Sequence, residues 1–97
     1  MHAVVRTYSG PAAKKLADVL EERKKDVESI MRPIKGFVSY TFLRTADGGV
    51  SVTVCQDKAG TDESVRVAAN WIKQNASSTG VSAPSVSEGA VVVHSSK

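Results

Sequence analysis

The sequence predicts an α+β fold in which one four-stranded antiparallel sheet carries two helices on one face. Two amphipathic helical segments alternate with short valine-rich segments, and the middle of the chain is typical of a β-hairpin. The strands also carry apolar residues at successive positions, and these side chains point to both faces of a sheet. With 97 residues, the chain is expected to form a single domain, residues 1–97.

The first strand is predicted at residues 2–8, and Ser9-Gly10-Pro11 ends it. The first helix is predicted from about residue 11 to residue 31, because proline suits the first helical position and Pro33 stops the helix. Arg23 interrupts the apolar stripe, so we expect its stem to pack while its charged end reaches water. The stripe itself recurs at three- and four-residue steps: Leu16, Val19, Leu20, Val27, Ile30 and Met31.

The hairpin comprises residues 36–44 and residues 50–55, joined by a turn rich in glycine. Two registers are open. A three-residue loop would place Tyr40 and Phe42 on the same face as the valines of the third strand. A two-residue loop would place Thr41 and Leu43 there instead, since a shift of one residue exchanges the faces. We favour the three-residue loop because it gathers the larger apolar residues.

The second helix is predicted to open at residues 60–63, with Thr61 as its N-cap. Residues 77–87 are predicted to be a long loop, which could act as a lid, as an arm that clasps a partner subunit or as a plain connector. The fourth strand is predicted at residues 90–94. The expected apolar stripe of the second helix is Val65, Ala68, Ala69, Ile72 and Ala76.

The element order predicts the ferredoxin-like βαββαβ arrangement, because two right-handed crossover units joined by a hairpin place both helices on one face of the sheet. The opposite face would then expose apolar side chains to water. Such a patch usually marks an interface, and its burial favours association by about 25 cal/mol per Å². We therefore expect a homodimer that associates through the helix-free face.

Composition and charge narrow the classes of function. The net charge is +3, but the cations are scattered and alternate with acidic residues on the first helix, so no nucleic-acid partner is expected. No apolar run approaches the length of a membrane helix, and the first residues do not resemble a signal peptide, so a cytoplasmic location and no membrane partner are expected. The single cysteine, Cys55, is interpreted as a buried hydrophobic residue, and no metal site is predicted.

Three segments resemble the dimeric α/β-barrel superfamily, in particular its antibiotic-biosynthesis-monooxygenase-like domains. They are Gly36-Phe37-Val38-Ser39-Tyr40, the hairpin at Gly48-Gly49-Val50 and the second helix that carries Trp71. The resemblance implies dimerisation through the sheets and a small organic ligand in the cleft between sheet and helices. Some members of this superfamily are cofactor-independent oxygenases of phenols, some degrade haem, and many have no assigned activity.

The resemblance directs attention to five side chains as candidates for lining a ligand pocket: Arg6, Tyr8, Tyr40, Asn70 and Trp71. Catalytic residues are not identified. The haem-degrading members use an Asn on the first strand, a Trp on the second helix and a His that binds iron. Trp71 matches the Trp, but the first strand has no Asn, and His2 and His94 lie near the chain ends. Haem degradation is therefore not expected, and no cofactor is predicted.

Three of the candidates also have structural explanations. Arg6 lies on an apolar strand and needs a partner, which could be an acidic residue of a second subunit or an anionic group of a ligand. Trp71 could cover the edge of the sheet or the rim of the dimer, or it could line a pocket. Tyr40 suits packing or an interface hydrogen bond better than catalysis.

The leading hypothesis is a small ligand-binding or structural homodimer. The alternative is a cofactor-independent oxygenase that acts on a small aromatic or phenolic substrate. In that case Trp71 and Tyr40 would shape the cleft, and Arg6 would hold an anion or a phenolate. A shaped cavity lined by these side chains would favour the enzyme, whereas a filled cleft would favour the first hypothesis.

Overall fold

The computed structural model describes residues 1–97 and contains one sheet with strand order β2-β3-β1-β4. All three pairings are antiparallel. This architecture confirms the predicted α+β, ferredoxin-like fold. The elements are β1 (His2–Ser9), α1 (Pro11–Glu22), α2 (Lys24–Met31), β2 (Phe37–Thr45), β3 (Gly48–Cys55), α3 (Lys58–Asn75), a 3₁₀ turn (Ser77–Thr79) and β4 (Ser85–Ala90).

The predicted first helix is two helices, because the chain leaves helical geometry at Arg23 (φ −117°, ψ 31°). No glycine or proline marks the break. The Arg23 side chain instead bonds to Asp26 at 2.9 Å and to Asn75 of α3 at 3.0 Å, and its guanidinium lies 5.4 Å from the centre of the Trp71 ring. These contacts with another helix stabilise the break, and a local pattern cannot reveal them.

The hairpin has the two-residue loop, so the favoured three-residue register is wrong. Thr45 pairs with Gly48, which places Leu43 opposite Val50 and Phe42 opposite Ser51. Tyr40 and Phe42 therefore point toward the helices, away from the valines of β3. The physical reason lies in the pairing with β3. Tyr40 lies opposite Thr53 and Phe42 opposite Ser51, so a preference based on apolar size alone selects the wrong register.

Helix α3 begins earlier than predicted, and Thr61 is not its N-cap. The cap is Asp57, whose carboxylate accepts a hydrogen bond from the Gly60 backbone N–H at 3.1 Å. The buried stripe is also displaced by about one position, and Ala69 lies on the exposed side. The buried residues of α3 are Gly60, Thr61, Ser64, Ala68 and Trp71.

The fourth strand is β4 at Ser85–Ala90, so the prediction of residues 90–94 is wrong, and part of the predicted loop 77–87 belongs to the sheet. Every residue of β4 is exposed, and backbone pairing with β1 holds the strand in place. Glycine, glutamate and alanine are depleted in strands, and β4 contains all three, which is why the segment lacks a strand signal.

All three helices lie on one face of the sheet, where Val4, Arg6 and Tyr8 of β1 are buried. No element of the chain covers the other face. We call its apolar part the valine face, and residues bearing hydroxyl groups, such as Thr41 and Ser87, border it. The valine face consists of Ala3, Val5, Leu43, Val50, Val52 and Val54.

None of the three helices combines the length with the apolar character that a membrane-spanning segment requires. The cytoplasmic location expected from the sequence stays a prediction.

Candidate ligand cleft

A charged side chain lies at the centre of the cleft between the sheet and the helices. Arg6 of β1 points toward the helices and is only 2% exposed. Its Nε donates a hydrogen bond to the Ser51 hydroxyl at 3.0 Å, and one terminal nitrogen donates to the Ser64 carbonyl oxygen of α3 at 3.2 Å. Arg6 is thus held between β3 and α3.

No acidic residue neutralises this guanidinium, since Arg6 takes part in none of the ion pairs of the chain. Two tyrosines, Tyr8 and Tyr40, lie close enough to interact electrostatically with the guanidinium. Burial raises the pKa of the Tyr8 and Tyr40 phenols above the ordinary value, and the guanidinium only partly opposes this effect. Both phenols therefore stay protonated at neutral pH, and the cleft contains an uncompensated positive charge.

The walls around Arg6 are aromatic and aliphatic. Trp71 of α3 is buried at 7% exposure and belongs to the same apolar cluster as Tyr8, Leu20 and Val27. The ring of Phe42 lies 6.4 Å from that of Tyr8, measured between centroids, at a tilt of 45°. Tilted aromatic contacts of this kind are favourable. Arg6 consequently faces an apolar, largely aromatic surrounding.

The cleft has an enclosed inner part and an open outer part. The inner part, which includes Arg6 and Trp71, leaves about 10 Å³ of free space, roughly the room that one water molecule needs. The outer part is a groove of about 300 Å³ between the helices and β2. Both parts share the side chains of Leu20, Val27, Tyr40 and Phe42. A molecule in the groove would therefore be separated from Arg6 only by these side chains.

Charged residues surround the mouth of the groove. Arg44 of β2 bonds to Asp18 at 2.9 Å and to Glu21 at 3.0 Å, which joins β2 to α1. The hydrogen bonds to Glu21 and Asp18 raise the pKa of Arg44. All three side chains are well exposed, so these ion pairs contribute little to stability. They mark the outer border of the groove.

Four of the five predicted pocket residues meet in the cleft: Arg6, Tyr8, Tyr40 and Trp71. Asn70 does not, because it lies on the exposed side of α3. Trp71 lines the cleft, and a position at the rim of a dimer stays a prediction. Arg6 points away from the valine face, so an ion pair with a second subunit across that face is also wrong.

Sequence reasoning missed several residues of the cleft. Phe42 alternates with Tyr40 along β2, and this period-two pattern could have placed both on one face if the register had been known. Ser64 contributes a backbone carbonyl to Arg6, and no side-chain pattern could have indicated it.

No histidine or cysteine side chain lines the cleft, so these two common ligands of a haem iron are absent from it. His2 lies at the start of β1, where its Nδ1 is 2.8 Å from the Thr61 hydroxyl and its Nε2 is 3.6 Å from a Glu88 oxygen. His94 follows β4, outside the cleft. Cys55 is buried in a different apolar cluster, and burial, aided by Asp57, raises the pKa of its thiol. Neither histidine nor thiolate is therefore available to iron in the cleft.

A four-stranded antiparallel sheet with the helices on one face is the ferredoxin-like fold, and comparisons with solved structures confirm this fold. No protein-family model matches the sequence, and curated proteins give no significant match.

Three of the similar structures belong to proteins that are described in different ways. The haem degrader MhuD from Mycobacterium tuberculosis, with two haems bound in its active site, is 17% identical, with a TM-score of 0.70 over 99% of this chain and 100% of that one. A dimeric ferredoxin-like protein from an uncultured marine organism is 10% identical, with a TM-score of 0.65 over 99% and 96% of the chains. The monooxygenase ActVA-Orf6 of Streptomyces coelicolor, in complex with nanaomycin D, is 18% identical, with a TM-score of 0.57 over 96% and 91%. The TM-scores establish a shared fold, and at sequence identities this low the comparison shows the fold alone.

Proposed function

We propose that the protein is a homodimer that binds a small planar aromatic molecule in the cleft and places an anionic group of that molecule against Arg6. The outer groove supplies the volume, since small-molecule sites begin at about 300 Å³. Tyr40 and Phe42 supply an aromatic surface that both parts of the cleft share.

The buried, unneutralised charge of Arg6 is the observation that carries the proposal. A charge removed from water is costly unless it is paired. The two hydrogen bonds to Ser51 and Ser64 use neutral oxygen atoms and leave the net charge in place. A carboxylate or phenolate of a ligand would neutralise it, and a planar carboxylate matches the geometry of a guanidinium.

Dimerisation is supported by the valine face. Its six apolar side chains lie on the side of β1, β2 and β3 that faces away from the helices. Leu43 is 44% exposed, whereas Val54 is already buried at 8%. A second copy of the chain would remove the same surface from water on both subunits. One of the similar structures is a dimeric ferredoxin-like protein.

Titration calorimetry with a matched pair of probes tests the ligand proposal. The probes are 2-naphthoate, which is anionic, and naphthalene-2-carboxamide, which is neutral and similar in shape. We expect 2-naphthoate to bind at least about tenfold more tightly than the amide, because only the anion neutralises Arg6. Arg6→Met should weaken the binding of 2-naphthoate by about 30-fold or more and leave the amide within about threefold.

Arg66→Met is the matched control, because Arg66 is exposed on α3 and pairs only with Glu63. It should leave the affinity for both probes unchanged. Equal affinity of the wild-type protein for the anion and the amide, or equal losses in the two arginine variants, would contradict the assignment of Arg6.

A second candidate function is that of a cofactor-independent oxygenase, favoured by the tyrosines, tryptophan and arginine that converge on one cleft. A ring methylene of an electron-rich phenol would be converted to a carbonyl. In this reaction R₂CH₂ and O₂ give R₂C=O and water, so two C–H bonds break and the substrate supplies all four electrons. Arg6 would stabilise the phenolate form of the substrate. Oxygen uptake on addition of anthrone, lost in Arg6→Met, would support this candidate, whereas uptake no faster than in buffer would exclude anthrone as a substrate.

The small enclosed volume argues against a reaction directly beside Arg6. With about 10 Å³ free there, the inner cleft has no room for a substrate ring. The ring of a ligand would therefore lie in the outer groove, and its anionic group would reach Arg6 only if shared side chains such as Tyr40 and Phe42 moved aside.

A further inference from the structure

Three consecutive valines follow β4 and lie outside the fold. Val91 is tied to the chain start, because its backbone N–H donates to the Met1 carbonyl oxygen at 2.9 Å. The next two valines have no such tie, and Val92 and Val93 are 93% and 83% exposed. They are by far the most exposed of the large apolar residues in the chain.

This exposure conflicts with the local chemistry of the segment. Successive valines are strong strand formers, and a run that is apolar at every position is typical of a strand buried on both faces. The segment nevertheless lies beyond the last paired residue of the sheet, Ala90. A strong local preference that the fold of one chain leaves unused indicates that another molecule satisfies it.

We propose that residues 91–94 form an arm that packs its valines against the valine face of the second copy in the homodimer. The inference rests on the proposed dimer and adds a reciprocal contact to it. Each copy carries one arm and one valine face. In a two-fold symmetric dimer, each arm therefore contacts the valine face of the other copy, and neither arm is left without a partner.

The arm reaches a second copy more readily than its own sheet. It continues beyond β4, which is an edge strand, and β4 contributes Ser85, Ser87 and Gly89 to the helix-free side of the sheet. The arm would have to turn back across these polar positions to reach its own valines. Four extended residues span about 13 Å. Facing sheets pack about 10 Å apart, so the arm is long enough to reach the edge of a facing sheet.

Sedimentation equilibrium of the full chain tests the arm with the double variant Val92→Ser, Val93→Ser. We expect its dimer dissociation constant to rise by about 30-fold or more, because the dimer contains two arms. The matched control is Val86→Ser, which makes the same change at a 48% exposed valine on the helix side of β4. It should leave the constant within about threefold of the wild-type value.

Amide hydrogen exchange supplies an independent readout. Val52→Asp places a charge on the valine face and should give a monomer. The amides of residues 92–94 should exchange at least about tenfold more slowly in the wild-type dimer than in this variant. An unchanged dissociation constant in the double variant, or unprotected arm amides in the dimer, would overturn the arm and leave the dimer through the valine face intact. A wild-type protein that is monomeric throughout the micromolar range would overturn both.

Discussion

Replacement of Arg6 by methionine should separate stability from ligand binding. A buried arginine that is paired with an acid is costly to truncate, since removing one partner of a buried ion pair costs about 3–5 kcal/mol. Arg6 has no acidic partner. Its removal should therefore lower the free energy of unfolding far less.

The expected magnitude follows from the contacts of Arg6. Removing a charge from water costs several kcal/mol even after relaxation. The hydrogen bonds to Ser51 and Ser64 return about 1.5–3 kcal/mol each, as charged donors do. The two contributions nearly cancel, and a buried methionine side chain then replaces the aliphatic stem of Arg6. The free energy of unfolding of Arg6→Met should lie within about 2 kcal/mol of the wild-type value.

Urea unfolding followed by the fluorescence of Trp71, the only tryptophan, measures this difference. Arg66→Met should change the free energy of unfolding by less than about 0.5 kcal/mol, as exposed substitutions usually do. A loss above about 3 kcal/mol in Arg6→Met would refute the reasoning. It would mean that Arg6 is a structural element of the core and is not reserved for a ligand.

Two further predictions concern the tyrosines and the glycines. Because the folded-state pKa of Tyr8 and Tyr40 is raised, stability should be fully present below about pH 10 and fall as the pH rises further. Absorbance at 295 nm should show both phenols ionising at higher pH in the folded protein than in urea, and coincident titrations would contradict this. Gly60→Ala should lower the free energy of unfolding by about 1–3 kcal/mol, since a Cβ there would lie 2.7 Å from the Cys55 Cβ. Gly89→Ala, where a Cβ meets nothing within 4 Å, should cost nothing measurable in the same urea assay, and equal losses would contradict the packing argument.

The sequence was sufficient to predict the α+β class and the order of helices and strands along the chain, because amphipathic segments and the valine-rich hairpin are strong signals. The valines at 91–93 instead misplaced the fourth strand, which lies at Ser85–Ala90. The hairpin register was not accessible in the same way. Thr53 and Ser51 lie opposite Tyr40 and Phe42, and a preference for large apolar residues on one face selects the wrong alternative. The break at Arg23 depends on contacts with α3, which do not exist in a local window.

The residues of the cleft were predicted only in part, because the strand residues carry a clear local signal and the orientation of α3 does not. Arg6 stands out as a charge on an apolar strand, and Tyr8 follows it on the same face. Asn70 was selected by its residue type, and the true phase of α3 turns it to the exposed side. The displaced phase arises because polar side chains occupy the buried stripe, so the hydrophobic pattern follows a different line along the helix.

The proposed dimer and the proposed arm both depend on a second copy of the chain that covers the valine face. Sedimentation equilibrium of the wild-type protein at micromolar concentration tests this directly. We expect a mass of about twice the 10.3 kDa of one chain, and the mass of one chain for Val52→Asp, which places a charge at the centre of that face. A wild-type mass of one chain under these conditions would contradict the account.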